Sequence, residues 1–564
     1  MMRGIHTLAS LVKQRFFLLC LVVFALMCLH TRNGQWVGDF WEHAAVVREL
    51  TTHPLHPRHP QLLLDAPHAF YSPYTLAVAL LAKAVHLDAV VALSIMGLVN
   101  LALLFLGLRL FVYTATHEGA TAFYALLLTL FCWGSDAWCY SGFFHIGALG
   151  YVLPYPSTFA AALALIALGA NRRRIETRLH IWFVPIFLLA ATVLISHPTT
   201  FLFVAAALVS QSSAAKGSVL SEVALAGVLL SLAVAAAAFW PYFPLLQLLL
   251  AESAAYDASN AVMYQQVVGR VWPALIGVPV VIAGIGSCRH RPAALLLLLL
   301  CGIYVFGGVS GRYSYGRVVS YIVLLLHIAI AEHLALLEYR VRATTTAGGW
   351  ARGIVVPAGA AALALLLSFV PLRAALARAL FASPPTYQPY RFLSQFVGQY
   401  DVVLADVGSS LIIPAFGGKV VAAAHPLAFV PDQRVRRSDV DRFFSPDTGV
   451  AERRRIVQKY AATHLLLWKS SVGWRNLQRS FVEGRVAFES ASVLLIALKA
   501  GPGSSFEVSL LGLPLAGLQQ LSGTRAGGTQ VLGRAYAVWT RLSTESPCGP
   551  VRAAARPAIF VLES

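Results

Sequence analysis

The stretch TFAAALALIALGANRRR, residues 158–174, decides both the fold class of this chain and its orientation. An uncharged apolar run ends abruptly at Asn171 and three consecutive arginines. Short loops rich in arginine or lysine stay on the cytoplasmic side of a membrane, so this junction predicts the inner end of a spanning helix. Apolar runs of span length recur from Arg15 to about Pro371, which a soluble core would not need. The sequence therefore predicts a polytopic α-helical membrane protein.

Basic residues along the rest of the chain give one consistent topology. Lys13 and Arg15 precede the first apolar run, and Arg340 and Arg342 follow the tenth. With these loops inside, the chain has about eleven spanning helices, a cytoplasmic N-terminus and an extracytoplasmic C-terminal tail, as expected for a bacterial inner-membrane protein. The predicted outer loops are residues 31–88, 134–156, 241–270 and 307–317.

One apolar segment is left out of this count. Tyr74–Val85 is too short to span comfortably, contains Lys83 and follows Pro73. If it crossed the membrane, the arginines at 172–174 would lie outside, against the charge rule. We therefore expect a helix that lies at the outer interface.

The composition changes after Pro371 and predicts a second domain. Residues 373–564 are richer in Arg, Asp, Gly and Pro, and their apolar runs shrink to strand length. A helix predicted over Ala451–Tyr460 lies between two of these runs, which favours an α/β fold with a partly parallel sheet. The chain thus divides into a membrane domain, residues 1–372, and an extracytoplasmic α/β domain. The predicted strands are Val402–Ala405, Val420–Ala424, Leu465–Trp468 and Val493–Leu498.

The formal net charge of the chain is +18. In a soluble protein such a balance would suggest a nucleic-acid partner. Here much of the arginine lies in short loops between spans, where membrane orientation accounts for it. No basic face with interleaved aromatic residues is present, so we exclude nucleic-acid binding.

Two carboxylates and an imidazole follow the first span closely, in Val37-Gly38-Asp39-Phe40-Trp41-Glu42-His43. If this stretch is helical, Asp39, Glu42 and His43 share one face, because they are three and four residues apart. A carboxylate beside aromatic residues at a membrane interface can act as a general base, since partial desolvation raises its pKa. The alternative is that these groups only cap and solvate a loop helix.

Several short stretches together resemble the GT-C superfamily of membrane glycosyltransferases, which includes protein O-mannosyltransferases and the aminoarabinose transferases acting on lipid A. In sequence, these stretches are most similar to a bacterial GT-C-like family. Some members of that family carry a misleading label that relates them to pyruvoyl-tetrahydropterin synthase. The resemblance covers the whole layout of the chain. The matching stretches are Gly38–His43, Phe70–Tyr74, Val403–Asp406 and Ile412–Val421.

The resemblance implies roles for two acidic positions. The acidic residue of the first outer loop is the usual catalytic base in such enzymes, and by position this is Asp39. A second acidic residue often lies in the second outer loop, where Asp136 stands in Gly134–Trp138. The sequence departs from the best-known members in lacking an Asp-Asp or Asp-Glu pair at Asp39, and the next acid is Glu42. We therefore predict no cofactor, while a divalent metal remains possible.

The predicted loop between the ninth and tenth spans breaks the rule that basic residues lie inside. It holds Arg312, Tyr313, Tyr315 and Arg317 among several glycines. Arginine forks bind phosphate through paired donors, and glycine lets the backbone approach a ligand. This pattern predicts a site for a polyprenyl phosphate at the outer mouth of the spans. The alternative is interfacial anchoring by tyrosine and arginine.

Several histidines lie in the predicted outer loops. His43 and His197 are candidates for lining a sugar pocket, although a lone histidine is more often structural. His53, His56, His59 and His68 lie along a proline-rich loop, where zinc is conceivable because imidazole is a common ligand. Against a zinc site, Pro54, Pro57 and Pro60 prevent a regular helix, and no partner motif follows.

These observations predict a glycosyltransferase that takes a sugar from a polyprenyl-phosphate carrier. Its partners would be that lipid-linked donor, membrane lipids, and a glycan, lipid or protein acceptor. Asp39 would deprotonate the acceptor, and attack in line with the departing phosphate would invert the anomeric carbon. One alternative is a transporter or flippase for a lipid-linked glycan, which would need polar residues at mid-membrane depth, where these spans are almost purely apolar. Another is a non-catalytic GT-C-like assembly subunit.

Overall fold

The computed structural model describes most of the chain, and helices dominate its first two thirds. The described residues are 2–134, 136–215, 217–250, 258–285, 290–343, 349–381, 384–385, 387–471, 474, 477, 482–498 and 507–508. The helices up to residue 250 are α1 (Met2–Asn33), α2 (Phe40–Thr52), α3 (Pro73–Ala84), α4 (Ala89–Thr116), α5 (Gly119–Phe131), α6 (Ile146–Val152), α7 (Pro156–Thr177), α8 (Phe183–Ser196), α9 (Pro198–Ser212), α10 (Val219–Ala238) and α11 (Leu245–Leu250). They are followed by α12 (Val267–Leu275), α13 (Gly277–Gly284), α14 (Arg291–Ser310), α15 (Val319–Ala343), α16 (Gly349–Leu367) and α17 (Phe369–Leu380).

The prediction of a multi-pass membrane protein is confirmed. Within the described residues, five helices are long and apolar enough to cross a membrane, and the number rises to eight if each of three bent helix pairs forms one span. The sharpest bend, 108°, separates α6 from α7. Four shorter apolar helices accompany these spans. The count of about eleven spans stays a prediction.

The predicted interfacial segment forms α3. Ser72 caps it: the Thr75 backbone N–H donates to the Ser72 hydroxyl, the Ser72 N–H donates to the Thr75 hydroxyl, and Pro73 starts the helix. Its 12 residues extend about 18 Å, well short of a membrane core of about 30 Å. The Tyr74 hydroxyl donates to the Pro154 carbonyl, which fixes α3 against the turn between α6 and α7.

Polar side-chain contacts connect the helix ends that the sequence predicts to lie on the cytoplasmic side. Arg15 of α1 and the Tyr124 hydroxyl of α5 both donate to the buried Glu338 of α15, at 2.7 and 2.6 Å. Arg174 of α7 donates to Glu222 at the start of α10, at 2.6 Å. Contacts of this kind require the paired helix ends to lie at the same end of the bundle, in agreement with the parity of the basic loops.

The tail carries a six-stranded mixed sheet in the order β2-β1-β3-β5-β4-β6. β1 is parallel to β2 and β3, and the remaining pairs are antiparallel, which confirms the predicted partly parallel sheet. The strands are β1 (Val402–Leu404), β2 (Lys419–Val420), β3 (His464–Trp468), β4 (Val482–Glu489), β5 (Val493–Leu498) and β6 (Glu507–Val508). The tail helices are α18 (Leu393–Phe396), α19 (Ile413–Phe416), α20 (Gln433–Phe444) and α21 (Val450–Lys459).

Both faces of the sheet are buried at β1. Alternate residues of a strand point to opposite faces, and here Val402 and Leu404 join a core with α20 and α21. Val403 and Ala405 instead belong to the large core that includes the membrane helices and Trp41. Burial on both faces explains why β1, β3 and β5 appear in the sequence as nearly continuous apolar runs.

The first outer loop docks on the edge of the sheet. The Val420 N–H of β2 donates to the Gln61 carbonyl at 2.7 Å, and Leu62 pairs with Val420 as a parallel bridge. Beside this bridge the Lys419 ammonium donates to Glu49 of α2 at 2.7 Å, and both side chains are buried. The loop and the sheet therefore lie on the same side of the membrane.

The predicted boundary after residue 372 falls inside α17. Asn33, at the end of α1, donates to the Arg378 and Ala379 carbonyls of that helix. Residues 509–564 of the predicted tail domain lie outside the described residues. The division into residues 1–372 and 373–564 thus stays a prediction.

The topology predicts which side of the membrane is labelled. Cysteines introduced at His56 of the first outer loop and at Ser438 of α20, both exposed, should react with an impermeant maleimide in intact cells. A cysteine at Thr177, exposed at the opposite end of α7, is the matched control and should react only after permeabilisation. Protection of His56→Cys or Ser438→Cys in intact cells, measured above the background of the parent chain, would contradict this topology.

The buried pair predicts a strong effect on stability. Lys419→Met leaves the Glu49 carboxylate buried without its cation and should lower the free energy of unfolding in detergent by about 3–5 kcal/mol. The double variant Glu49→Gln/Lys419→Met should recover part of this loss. Arg455→Met, which breaks a surface pair with Glu452, is the control and should leave the unfolding midpoint unchanged. An equally unchanged midpoint in Lys419→Met would show that the pair does not hold the loop.

Candidate active site

Helix α2 carries the two carboxylates that follow the first span. Gly34 and Gly38 have positive φ angles of 60° and 61°, which turn the chain from α1 into α2. The Trp36 and Phe40 rings stack with centroids 4.6 Å apart. The Tyr155 hydroxyl donates to the Val37 carbonyl at 3.0 Å and ties the start of α2 to the start of α7.

A histidine from the tail meets both carboxylates. His425 Nδ1 lies 3.3 Å from Glu42 Oε2 and 3.5 Å from Asp39 Oδ1. A carboxylate only accepts, so Nδ1 carries the proton and donates. The Asp39 side chain is 50 % exposed, whereas that of Glu42 is 2 % exposed. As the helical spacing predicted, the two acids share one face of the helix, although only Asp39 is open to a ligand.

The second oxygen of Glu42 faces His68. Their Oε1 and Nε2 atoms lie 3.3 Å apart, and both side chains are buried. His68 Nδ1 accepts from the Phe70 backbone N–H at 3.2 Å, so the proton of the neutral ring lies on Nε2 and points toward Glu42. Glu42 therefore lies between two imidazoles, that of His68 in its own loop and that of His425 in the tail.

These contacts shift the pKa values of the site. Burial alone would favour the neutral acid at Glu42, but the hydrogen bonds of His425 and His68 outweigh it and hold the Glu42 pKa well below its usual range. Burial also opposes protonation of His425, yet its bond to Glu42 and the charge of Asp39 raise its pKa to about 9. His43 is buried without such a bond, and burial lowers its pKa to about 4. At neutral pH Glu42 is therefore ionised, His425 is an imidazolium and His43 is neutral.

Helix α20 holds the loop that carries His425. The Gln433 side-chain amide donates to the His425 carbonyl and accepts from the Leu427 N–H at 2.7 Å. Arg437 donates to the Ala424 carbonyl at 2.6 Å. The ring is therefore positioned by the main chain on both sides of it.

His197 lies within electrostatic range of two other predicted site residues. One is Arg317, and the other is His43, whose ring stacks on Phe70 with centroids 4.5 Å apart. Arg317 donates to Asn260 at 2.8 Å and to the Ser141 hydroxyl at 2.6 Å. His43 lies near Asp39, and His197 lies near both His43 and Arg317.

The other predicted site residues lie elsewhere or make different contacts. The Asp136 carboxylate pairs with Arg270 at 3.0 Å. The Tyr313 ring packs on Tyr264, and the Tyr315 ring packs on Phe306. Arg312 is exposed. These four residues stay predictions as members of the site.

Sequence reasoning missed His425, His68 and the Lys419–Glu49 pair. His425 is separated from Glu42 by 383 residues, and no spacing pattern links the two. In the sequence His68 is only one of several loop histidines, and Lys419 is only part of a tail motif. The tail stretch Ile412–Val421, which the family resemblance singled out, does contain Lys419 and Val420. These two residues contact Glu49 and the first outer loop.

The same centre has the donors of a cation site. Asp39, Glu42 and His425 each present one ligand atom within 4.8 Å of the others. Carboxylate oxygens with one imidazole nitrogen suit a divalent ion such as Mn²⁺ or Zn²⁺. Among the described residues, these three would hold such an ion.

Comparison with solved structures identifies the fold. The oligosaccharyltransferase of Archaeoglobus fulgidus in the apo form has a TM-score of 0.50 at 12 % identity, covering 81 % of this chain and 71 % of that one. ArnT from Cupriavidus metallidurans bound to undecaprenyl phosphate has a TM-score of 0.49 at 13 % identity, covering 86 % and 98 %. No protein-family model and no curated protein matches by sequence. The chain thus shares the fold of the archaeal oligosaccharyltransferase, in agreement with the fold that the sequence resemblance implied.

The shifted pKa values predict how stability depends on pH. The His425 pKa lies above its ordinary value of 6.5, so the stability it contributes is complete below about pH 6.5 and is lost as pH rises through about 9. The Glu42 pKa lies below its ordinary value of 4.5, so its contribution is present above that pH and is lost in acid. The thermal midpoint should therefore be highest between about pH 5 and 6.5 and fall toward about pH 9.

Two variants test whether His425 causes the fall of the thermal midpoint at alkaline pH. His425→Asn should flatten the decline on the alkaline side, because the titrating ring is gone. His53→Asn, which removes a more exposed imidazole beside Glu49, should leave the decline unchanged. If the thermal midpoint of His425→Asn still falls at alkaline pH, a group other than His425 causes the decline.

Proposed function

We propose that this protein is a membrane glycosyltransferase that moves a sugar from a polyprenyl-phosphate carrier to an acceptor on the extracytoplasmic side. One observation carries the proposal. On a GT-C fold, a half-exposed carboxylate of the first outer loop, Asp39, stands in a centre of two carboxylates and two imidazoles beneath the docked sheet. The fold alone does not assign an activity, because function depends on the site.

Asp39 is the general base of the proposed reaction. It accepts the proton of an acceptor hydroxyl or amine while that atom attacks the anomeric carbon. The bond between the anomeric carbon and the carrier phosphate breaks as the new bond forms, so one inversion occurs and the polyprenyl phosphate leaves. Glu42 is unsuited to this role because it is buried and its two oxygens face His425 and His68.

Arg317 is the residue proposed to face the departing phosphate. Its guanidinium is fixed by Asn260 and Ser141, so its charge is preorganised rather than moved into place during the reaction. His197 and His43 would line the pocket for the sugar, since His197 is close enough to Arg317, and His43 to Asp39, for their charges to interact. Arg312, Tyr313 and Tyr315 would meet the carrier at the outer mouth of the spans.

A divalent ion is compatible with the centre. Asp39, Glu42 and His425 would hold it, with the ion in place of the Nδ1 proton of His425, and it would supply positive charge beside the two carboxylates. The tail domain would shape the acceptor site. The proposed location is a bacterial inner membrane, with the N-terminus in the cytoplasm and the sheet outside.

If Asp39 is the general base, replacing it with the isosteric asparagine should greatly reduce turnover. Asp39→Asn should reduce transfer from the lipid-linked sugar by roughly 100-fold to 10,000-fold, the usual contribution of a general base, while the protein remains folded. Asp65→Asn, which neutralises an exposed carboxylate of the same outer loop, is the control and should keep the parent rate. The measurement is release of polyprenyl phosphate at matched protein levels. Parent-level turnover in Asp39→Asn would show that another group takes the proton.

A further inference from the structure

We infer that His425 of the tail is a positioning residue of the active site, which holds the Asp39 carboxylate in the orientation that receives the acceptor proton. The catalytic centre is then complete only when the sheet is docked on the first outer loop. This inference rests on the proposed function, because it concerns the same base.

Helix α2 does not hold the Asp39 carboxylate by itself. Asp39 stands at the N-cap of α2, where an aspartate often accepts a backbone N–H, yet its side chain makes no such capping bond. Its carboxylate is half exposed and would rotate freely without another partner. His425 Nδ1, 3.5 Å from Oδ1, supplies that partner across the domain junction.

Glu42 holds His425 in place for this task. The Nδ1–H of His425 donates to Glu42 at 3.3 Å, and Nδ1 also lies 3.5 Å from Asp39 as an ion pair, so the buried acid orients the ring toward the exposed one. Glu42 is in turn fixed by His68 on its other oxygen. Restricting a reacting group to its productive geometry is a major source of rate enhancement, because the entropy of alignment is lost before the reaction begins.

Two contacts set the position of the tail relative to α2. Glu49 meets Lys419, and Glu42 meets His425. The two acids lie two helical turns apart, about 10 Å along α2, and the two tail residues lie close together in one short segment. Attachment at two points fixes both the height and the rotation of α2 against the sheet edge. A shift of one turn would move His425 away from Asp39.

The direct test compares three variants in turnover. His425→Ala should lower kcat by roughly 10-fold to 100-fold, the range seen when an orienting partner is removed, with KM for the lipid-linked sugar unchanged. His425→Asn should restore most of kcat, because its amide nitrogen stands near the position of Nδ1 and can donate to both acids. His53→Ala removes the imidazole beside Glu49 and should keep the parent kcat. Parent kcat in His425→Ala, or no recovery in His425→Asn, would overturn the inference.

A second measurement separates failure of this inference from failure of the proposed function. If the parent protein shows no turnover with any lipid-linked sugar, the proposed function fails. The double-mutant cycle of Asp39→Asn and His425→Ala, measured by unfolding of the full chain in detergent, then decides the contact alone. Coupling of at least about five-fold in the unfolding constant, near 1 kcal/mol, supports a direct hold on Asp39. Additive effects would show that His425 does not hold it.

Discussion

The ion pair between Lys419 and Glu49 is the constraint on which the arrangement of the site depends. Burying two charges is unfavourable unless their geometry and remaining hydrogen bonds are satisfied. Here the ammonium donates to Glu49 and to the carbonyls of His59 and Pro60, so all three of its N–H groups are used. Such a pair contributes specificity more than stability, because it is satisfied in only one register of the loop on the sheet.

The active centre follows from that register. With Lys419 on Glu49 and β2 paired to Leu62, the next residues of the tail run along α2 and bring His425 to the two acids. In this arrangement Glu42 and Asp39 have different environments. Glu42 is buried and held ionised by two imidazoles, which suits it to a fixed charge that orients other groups. Asp39 is open to solvent on one side and held on the other, which suits it to exchange a proton with a ligand.

Much of the fold could be predicted because its physical basis is local. Apolar runs of span length and arginine-rich loops, such as 172–174, determine the membrane character of the chain and the parity of its helices. The three-residue spacing of Asp39 and Glu42 places both acids on one face of a helix, and α2 has that form. The doubly buried strands of the tail are visible in the sequence as short apolar runs, of which Val493–Leu498 forms β5.

The remainder of the site depends on contacts between distant parts of the chain. His425 and Glu42 are 383 residues apart, and Lys419 and Glu49 are 370 apart, so neither pair leaves a periodic signal. The sequence also could not show that Asp136 pairs with Arg270, because that pairing depends on how α12 packs beside the second outer loop. The resemblance to a family supplied Asp39 as the position of the proposed base, whereas the partners of Asp39 are visible only in the tertiary structure.

The central claim is that this membrane protein breaks the bond between a carrier phosphate and its sugar. The most direct measurement reconstitutes the purified chain in liposomes with polyprenyl-phosphate-linked sugars and envelope glycan, lipid and protein acceptors. The amounts of free polyprenyl phosphate and of glycosylated acceptor are then followed over time. The account predicts that both products form in equal amounts, with inverted configuration at the anomeric carbon. Movement of the intact sugar carrier across the bilayer without cleavage, or no product with any donor, would contradict it.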